Sequence, residues 1–374
     1  MYVLAHSFSP SCDVSVLFSK DRAERIFIER RDAVLPDTVF LGRVTQKKGN
    51  AFFVDIGEGR SGFLQTPVSY VNADGKKMTS RLFSGAVLFV RCLREAFDTK
   101  ELKLSAYVDV TDDILENAKN KNGYGTVYRP PSLLEQALVM YRPRGVVCDS
   151  PNAAVLVKRV LPEAQLRVSL ESVWETSGIA DALEEAVSCC NVPLPSGGSL
   201  VIEETSACVC IDVNTGKDTR SPFEVNLEAC EEILRQIRLR SLGGQIVVDF
   251  AGKKKSADLR RFCDILKKST DVRVFGATTL GLVEMTVTRR LASVQSHFYR
   301  QVREKTDETV AESLLRRLWF AIVANNEPVC VTASKGVTDL LKTRLAPYLS
   351  MVEERLGCPV VLKEGEKRTI KGIK

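Results

Sequence analysis

Apolar and polar residues alternate in short runs between residues 35 and 105: TVFLGRV, NAFFVDIG, SGFLQ, GAVLFVRCLR and LKLS. Alternation with period two predicts strands, because successive side chains point to opposite faces. So many short strands within about 70 residues predict a small closed β-barrel. Two further strand-like runs, VSVLF at 14–18 and RIFI at 25–28, precede it. After residue 132 the pattern switches repeatedly: LLEQALVMY, GVVCDS, AAVLVKRVL and AQLRVSL predict helix, strand, helix, strand. Residues 173–190 predict helices and 193–198 a loop. The intervening stretch 106–131 reads as a connector, with a polar, glycine-containing centre at 117–124 and Pro130-Pro131 at its end.

Strands at 199–203 and 207–213 are followed by a long amphipathic helix and a strand at 245–250. Leu227, Cys230, Leu234 and Ile237 recur along that helix at spacings of 3, 4 and 3. It begins acidic with Glu228, Glu231 and Glu232 and ends basic with Arg235, Arg238 and Arg240, which suits its dipole. Gly243 and Gly244 stand where a helix stop belongs. Both flanking strands finish on an aspartate before turn residues: Asp212 before Asn214-Thr215-Gly216, and Asp249 before Ala251-Gly252. Downstream the pattern predicts a helix at 258–268, a strand at 272–275 and the run LVEMTVTRRL. A helix at 309–324, a strand at 329–332, one helix over 337–356 and a strand at 360–363 complete it.

Composition narrows the class. At 374 residues, 44% hydrophobic and 27% charged, the chain is an ordinary globular protein, long enough for about two to four domains. A net charge of +6 permits nucleic-acid binding without establishing it. Eleven cysteines with no Cys-x-x-Cys pair point to a reducing compartment, with cysteine used as a small hydrophobe. Cys208 and Cys210 share a strand face with Asp212 and are read the same way, as packing residues. With only His6 and His297, histidine zinc sites and Ser-His-Asp triads are excluded as working ideas. The start, MYVLAHSFSP, has no signal-peptide pattern, and no run of about 18 uncharged apolar residues occurs, so no membrane span is expected. A cytoplasmic protein is the expectation.

The aspartates are the first candidate chemistry. If their strands are neighbours, Asp212 and Asp249 lie about 5 Å apart and can share a hard divalent cation such as Mg²⁺. Asn214 then stands two residues on, placed to orient a carboxylate or a water. The same spacing also fits two aspartates that merely end strands in turns. Arg235, Arg238 and Arg240, with the lysine run beginning at Lys253, can contact phosphates or simply form a solvated helix end. In NAFFVDIG, alternation sends Phe52, Val54 and Ile56 to one face and Phe53 to the other. An outward Phe53, with Phe63 as a second platform and Lys47, Lys48 and Arg60 nearby, suits base stacking and phosphate contact. Packing against a neighbouring domain is the competing use. Gly57-Glu58-Gly59-Arg60-Ser61-Gly62 matches GxGxxG but lies between two strands, so it is read as a hairpin turn.

These residues resemble a known family. SGGSLVIEETSACVCIDVNTG, NLEACEEILRQIRLRSLGGQIVVDF and LGLVEM are very similar to the catalytic core of the ribonuclease E/G family. VFLGRVTQKKGNAFFVDIGEGRSGFLQ resembles that family's S1-like OB-fold domain. The resemblance implies an α/β chain, more fully an α+β multidomain one. Its parts would be a ribonuclease H-like domain (1–34 and 132–196), an inserted OB-fold RNA-binding domain (35–105) and a connector holding a reduced 5′-sensor region (106–131). A deoxyribonuclease I-like catalytic domain (197–300) and a small C-terminal α/β domain (308–374) would follow. It also implies that Asp212 and Asp249 hold catalytic Mg²⁺, with Mn²⁺ as a substitute, and that Asn214 supports them.

Three departures qualify the resemblance. The region after LVEM reads TVTRRLASVQSHFYRQ and lacks the family's zinc-link cysteines, so no zinc and no zinc-linked dimer are expected, while a homo-oligomer stays open. The 5′-sensor is nearly absent: Tyr128-Arg129-Pro130 is the nearest match to its Arg-Thr pair, which leaves Arg129 as sensor candidate without the hydroxyl, so activation by an RNA 5′ end is expected to be weakened or lost. The family's DFIDM is DFAGK here, and Val287 and Thr288 interrupt a basic run. The expected function is a Mg²⁺-dependent endoribonuclease acting on single-stranded, AU-rich RNA in a bacterial cytoplasm, with ribosomal RNA precursors among its substrates. Water activated at the metal, rather than the RNA 2′-hydroxyl, would attack, leaving 5′-phosphate and 3′-hydroxyl ends. The alternatives are a non-catalytic RNA-binding factor in ribosomal RNA maturation and a Mg²⁺ phosphohydrolase of small nucleotides.

Overall fold

A computed structural model gives the fold. The structure describes residues 1–96, 101–187, 190–253, 255–298, 307–321, 328–365 and 369–371. The chain divides into two compact units, Met1–Tyr299 and Arg300–Lys374.

Among the described residues the first unit contains three large sheets and a two-stranded one, Tyr70–Val71 paired with Lys77–Met78. One has the strand order Gln165–Val168, Gly145–Cys148, Tyr2–Ser7, Cys12–Ser19, Arg22–Arg30. Tyr2 to Arg30 is an antiparallel meander, and the two later strands add parallel to its first strand. Leu133–Tyr141 and Pro151–Val160 pack on one face, against Leu4, Leu17 and Phe27. Ile179–Val187 packs on the other, against Val14, Val16 and Ile26. Burial on both faces explains why 14–18 reads as a nearly unbroken apolar run.

The second sheet is a closed five-strand barrel of the OB-like kind. Val39–Lys48, Ala51–Gly57, Arg60–Gln65, Leu102–Ser105 and Val87–Arg94 follow one another, and the last pairs back to the first. Phe52, Val54, Ile56, Leu64, Leu88 and Val90 fill it. Gly42 lets two strands approach, since a Cβ there would stand 2.6 Å from Val54 Cγ1. The GxGxxG segment is a hairpin turn: Gly57 pairs with Arg60, and Glu58 and Gly59 both have positive φ. The expected connector is more ordered than its composition suggested. Thr111 caps a helix, Asp112–Lys119, and Gly125–Tyr128 adds to the barrel strand Val39–Lys48. Ile114, Ala118 and Val127 are buried there on Val39, Leu41 and Phe89. Four-residue spacing of Ile114 and Ala118 is a helical signal too short to stand out within a polar stretch.

The third sheet has the order Asn191–Pro193, Ser199–Glu204, Val209–Asn214, Gly244–Asp249, Val283–Val287, Val272–Ala277. Its one parallel pairing joins Val209–Asn214 to Gly244–Asp249. The crossover is the helix Pro222–Leu239, begun by a capping box of Ser221 and Glu224 with a proline in its first turn. That helix and Ser256–Leu266 cover one face, over a core of Ile211, Val213, Val248, Phe250 and Met285. The chain leaves the helix at Ser241, which adopts positive φ, while Gly244, also at positive φ, opens the next strand. Gly243 serves a different purpose: a Cβ there would lie 2.8 Å from Arg289 Cβ, and its carbonyl accepts from Arg289.

In the second unit, Val329–Ala333 runs between Val360–Glu364 and Thr369–Lys371. Asp307–Trp319, Lys335–Lys342 and Ala346–Leu356 pack on this sheet. The single helix expected over 337–356 is two helices. Pro347 has no N–H to donate and sits in the first turn of the second, where none is needed. No helix among the described residues is long and apolar enough to cross a membrane.

Candidate functional site

Asp212 and Asp249 are register partners across the parallel pair. Partners in such a ladder lie about 4.8 Å apart. Asp212 is exposed and Asp249 half-buried, on the face opposite the helix-covered core. The Asn214 amide donates to Asp212 Oδ2 at 3.0 Å, so the carboxylate is oriented from two residues on. Among the described residues no group of three or more His, Cys, Asp or Glu side chains is arranged to hold a metal. Two carboxylates on an open face suit a hard ion that keeps several waters or substrate oxygens, not one enclosed by protein.

The ends of both strands are held firmly. Beyond Asp212, Lys217 N donates to Gly197 O at 3.2 Å. Arg220 pairs with Asp218 at 2.8 Å and holds its carboxyl well below the usual carboxylate range. Beyond Asp249, the Asn226 side chain clamps Ala251: its amide donates to Ala251 O at 3.0 Å and accepts from Ala251 N at 3.0 Å. Asn226 is 3% exposed, and sequence reading missed it. The available signal was a polar residue on the apolar side of the helix, beside Val225 and Ala229. Glu284 was also missed. It is exposed and pairs with Val247, two residues before Asp249 and on the same face.

Cys208 and Cys210 do not pack in the core as expected. Cys210 is exposed, Cys208 is partly so, and their Sγ atoms lie 3.7 Å apart. Only one face of this sheet is covered by helices, and strand alternation puts Cys210 with Asp212 on the other. Cys92, Cys148, Cys230, Cys263 and Cys358 are buried, as small hydrophobes are.

The three helix arginines have protein partners. Arg235 is 3% exposed and bonds Glu232 at 2.8 Å, Glu185, and the Ala23 carbonyl. Arg238 pairs with Glu24 at 3.2 Å. Arg240, also buried, donates to Gln236 and to Glu185 O. They join this helix to the first sheet and its helix Ile179–Val187, a contact that local sequence cannot reveal. Lys253 is exposed on the segment that follows Asp249. Lys254, its neighbour in the predicted run, lies outside the described residues.

On the barrel, Phe53 stands directly opposite Phe63, with ring centroids 6.3 Å apart in an edge-to-face arrangement. Phe63 is 38% exposed and Phe53 half-buried. The exposed Lys103 is the register partner of Phe63 on the other side, a placement that only the barrel's closure reveals. Lys47 and Lys48 are exposed at the end of the adjacent strand. Arg60 and Arg129, predicted for different roles, line one cavity of about 330 Å³ with Arg30, Arg31 and Thr126. The carboxylates of Glu29 and Glu58 also border it.

The described residues thus present a closed OB-like barrel with an outward aromatic pair, and an α/β sheet with two carboxylates on one rung. A model of the Ribonuclease E/G family matches residues 76–290. The chain belongs to the ribonuclease E/G family. It is 32% identical over 227 residues to Ribonuclease G of Haemophilus influenzae, covering 54% of this chain and 46% of that protein. To Ribonuclease G of Escherichia coli K12 it is 33% identical over 187 residues, 44% of this chain and 38% of that one. To the chloroplastic Ribonuclease E/G-like protein of Arabidopsis thaliana it is 40% identical over 170 residues, 40% and 17% of the two chains. The match thus spans less than half the length of these curated relatives.

Proposed function

We propose that this chain is a Mg²⁺-dependent endoribonuclease of single-stranded RNA. The observation that carries the reading is the shared, solvent-facing rung of Asp212 and Asp249. Family membership supports it. Asp212 and Asp249 would hold the metal, Asn214 orients Asp212, and Asn226 fixes the chain just past Asp249. When bound there, Mg²⁺, or Mn²⁺ in its place, supplies Lewis-acid neutralisation of charge developing on the scissile phosphate. Phe53 and Phe63 stack on bases, while Lys47, Lys48, Lys103 and Lys253 meet phosphates. Arg235, Arg238 and Arg240 are left out of this surface because protein groups already occupy them. Arg60 and Arg129 line one cavity where an RNA 5′-phosphate would meet them, beside Thr126 and the carboxylates of Glu29 and Glu58. The first and third sheets are read as the ribonuclease H-like and deoxyribonuclease I-like domains. The substrate is read as AU-rich single strands, including ribosomal RNA precursors, cut in the cytoplasm to 5′-phosphate and 3′-hydroxyl ends.

The test incubates the full chain with an end-labelled, unstructured AU-rich oligonucleotide, with Mg²⁺ or with chelator. Asp212→Asn and Asp249→Asn variants run beside it. Cleavage only by the parent, and only with metal, is the expected result. Binding without cleavage by any of the three would instead make the chain a non-catalytic RNA-binding factor. Hydrolysis of mononucleotides alone would make it a small-nucleotide phosphohydrolase.

A further inference from the structure

Phe275 has no packing role that accounts for it. It is 60% exposed on the edge strand Val272–Ala277 of the third sheet. The pairing with Val283–Val287 slips between Val274 and Gly276, so Phe275 is the extra, bulged residue. Bulges re-aim side chains and mark functional edges. The ring is exposed, with the Arg273 guanidinium 5.1 Å from its centroid. Arg273 is itself exposed and, among the described residues, makes no ion pair.

Register gives the location. Arg273 pairs with Thr286, and Thr286 with Gln245. Gln245, Val247 and Asp249 alternate onto one face, so Arg273 lies on the face that carries the aspartates. Val274, between Arg273 and Phe275, turns the other way and packs on the core. Two strand spacings, about 10 Å, separate the Phe275 strand from the Asp249 strand. Both run in the same direction, so the turn after Ala277 lies at the same end of the sheet as Asp249. Leu280 in that turn is 79% exposed. A Cβ built on Gly276 meets nothing within 4 Å, so the space beside the ring is open.

We propose that Phe275, steadied by Arg273, is a stacking platform for one base of the single-stranded RNA, roughly two nucleotides from the phosphate held at Asp212 and Asp249. This rests on the endoribonuclease reading for its reference point, but base stacking itself does not need cleavage. An aromatic face suits any base, and a guanidinium beside it adds attraction to the adjoining phosphate. The pairing of flat ring and cation favours a nucleic acid over an apolar protein surface, which would leave Arg273 without a counter-charge.

The test uses the full chain carrying Asp212→Asn, which removes cleavage from the measurement, and single-stranded RNA with 2-aminopurine placed at successive positions. Fluorescence at one position is expected to be quenched on binding, to recover in Phe275→Ala, and to be quenched again in Phe275→Trp. Phe275→Ala is expected to weaken binding about tenfold. An abasic residue at the quenched position should weaken binding similarly, and the two changes together should cost little more than either alone. Equal binding and equal quenching with and without the ring would overturn the proposal, and so would failure of the chain to bind RNA. In active chain, metal-dependent cleavage with an indifferent Phe275 sinks only the platform. Binding that depends on Phe275 without any cleavage sinks only the nuclease.

Discussion

Arg235 and Glu232 face each other across one turn of the helix Pro222–Leu239, 2.8 Å apart and both nearly inaccessible to solvent. Glu185 completes the contact from another helix. Removing Arg235 leaves the buried Glu232 with only Arg22, 2.6 Å away, and Gln236, and also breaks the bonds to Glu185 and the Ala23 carbonyl, a loss towards the lower end of the range of about 3–5 kcal/mol for a broken buried pair. Arg235→Ala is therefore expected to lower the urea midpoint strongly. The dependence of RNA affinity on salt should stay as it was. A salt slope reduced by about one would restore Arg235 to the phosphate-binding surface.

Asn226 fixes Ala251, two residues beyond Asp249. Asn226→Leu deletes both hydrogen bonds and leaves the Ala251 backbone groups without these partners, a loss of about 1–3 kcal/mol. Cleavage should fall in kcat with little change in RNA binding, because the strand end that carries Asp249 loosens while the barrel is untouched. Calorimetry and single-turnover cleavage check the two halves. A variant that loses binding and cleavage in equal proportion would contradict the positioning role.

Phe53 and Phe63 touch edge to face, so neither ring is independent of the other. Each alanine substitution is expected to weaken single-stranded RNA binding by about 1–3 kcal/mol. The double variant should lose less than the sum of the two. Lys103→Ala should instead weaken binding evenly across sequences and reduce the salt slope by about one. Filter-binding titrations at several salt concentrations separate these patterns.

His6 is buried and His297 half-buried, and both resist protonation. Burial, reinforced by the nearby Arg30, lowers the His297 imidazole to about 4, and burial also lowers that of His6. In the unfolded chain each titrates near 6.5. Between about 6.5 and 4 the unfolded state therefore binds more protons, so stability falls as pH drops through that window. Above it these groups contribute no slope. His297→Gln should flatten the fall in melting temperature between pH 6.5 and 4.5. An unchanged profile would mean that carboxylates alone set the acid limb.

Much of this could be read along the chain. The barrel strands, the capped helix and both aspartate-ended strands follow from alternation, helical spacing and turn residues, all of which are local. The short helix Asp112–Lys119 did not, since burial of Ile114 and Ala118 depends on a barrel wall that local pattern does not reveal. The arginine row misled for a related reason. Arg235 and Arg240 look like a solvated basic helix end until the first sheet and the helix Ile179–Val187 are set against them.

Sequence by itself determined which residues are candidates for chemistry: two strand-end aspartates with an asparagine nearby, and a phenylalanine turned from the barrel interior in an alternating strand. Tertiary structure alone decided that Asp212 and Asp249 share a rung, that Lys103 stands beside Phe63, and that Phe275, the extra residue at a bulge, stays exposed beside Arg273. The physical reason is that side-chain periodicity belongs to a single element. Register and strand order arise only when separate elements pair and bury their apolar faces together.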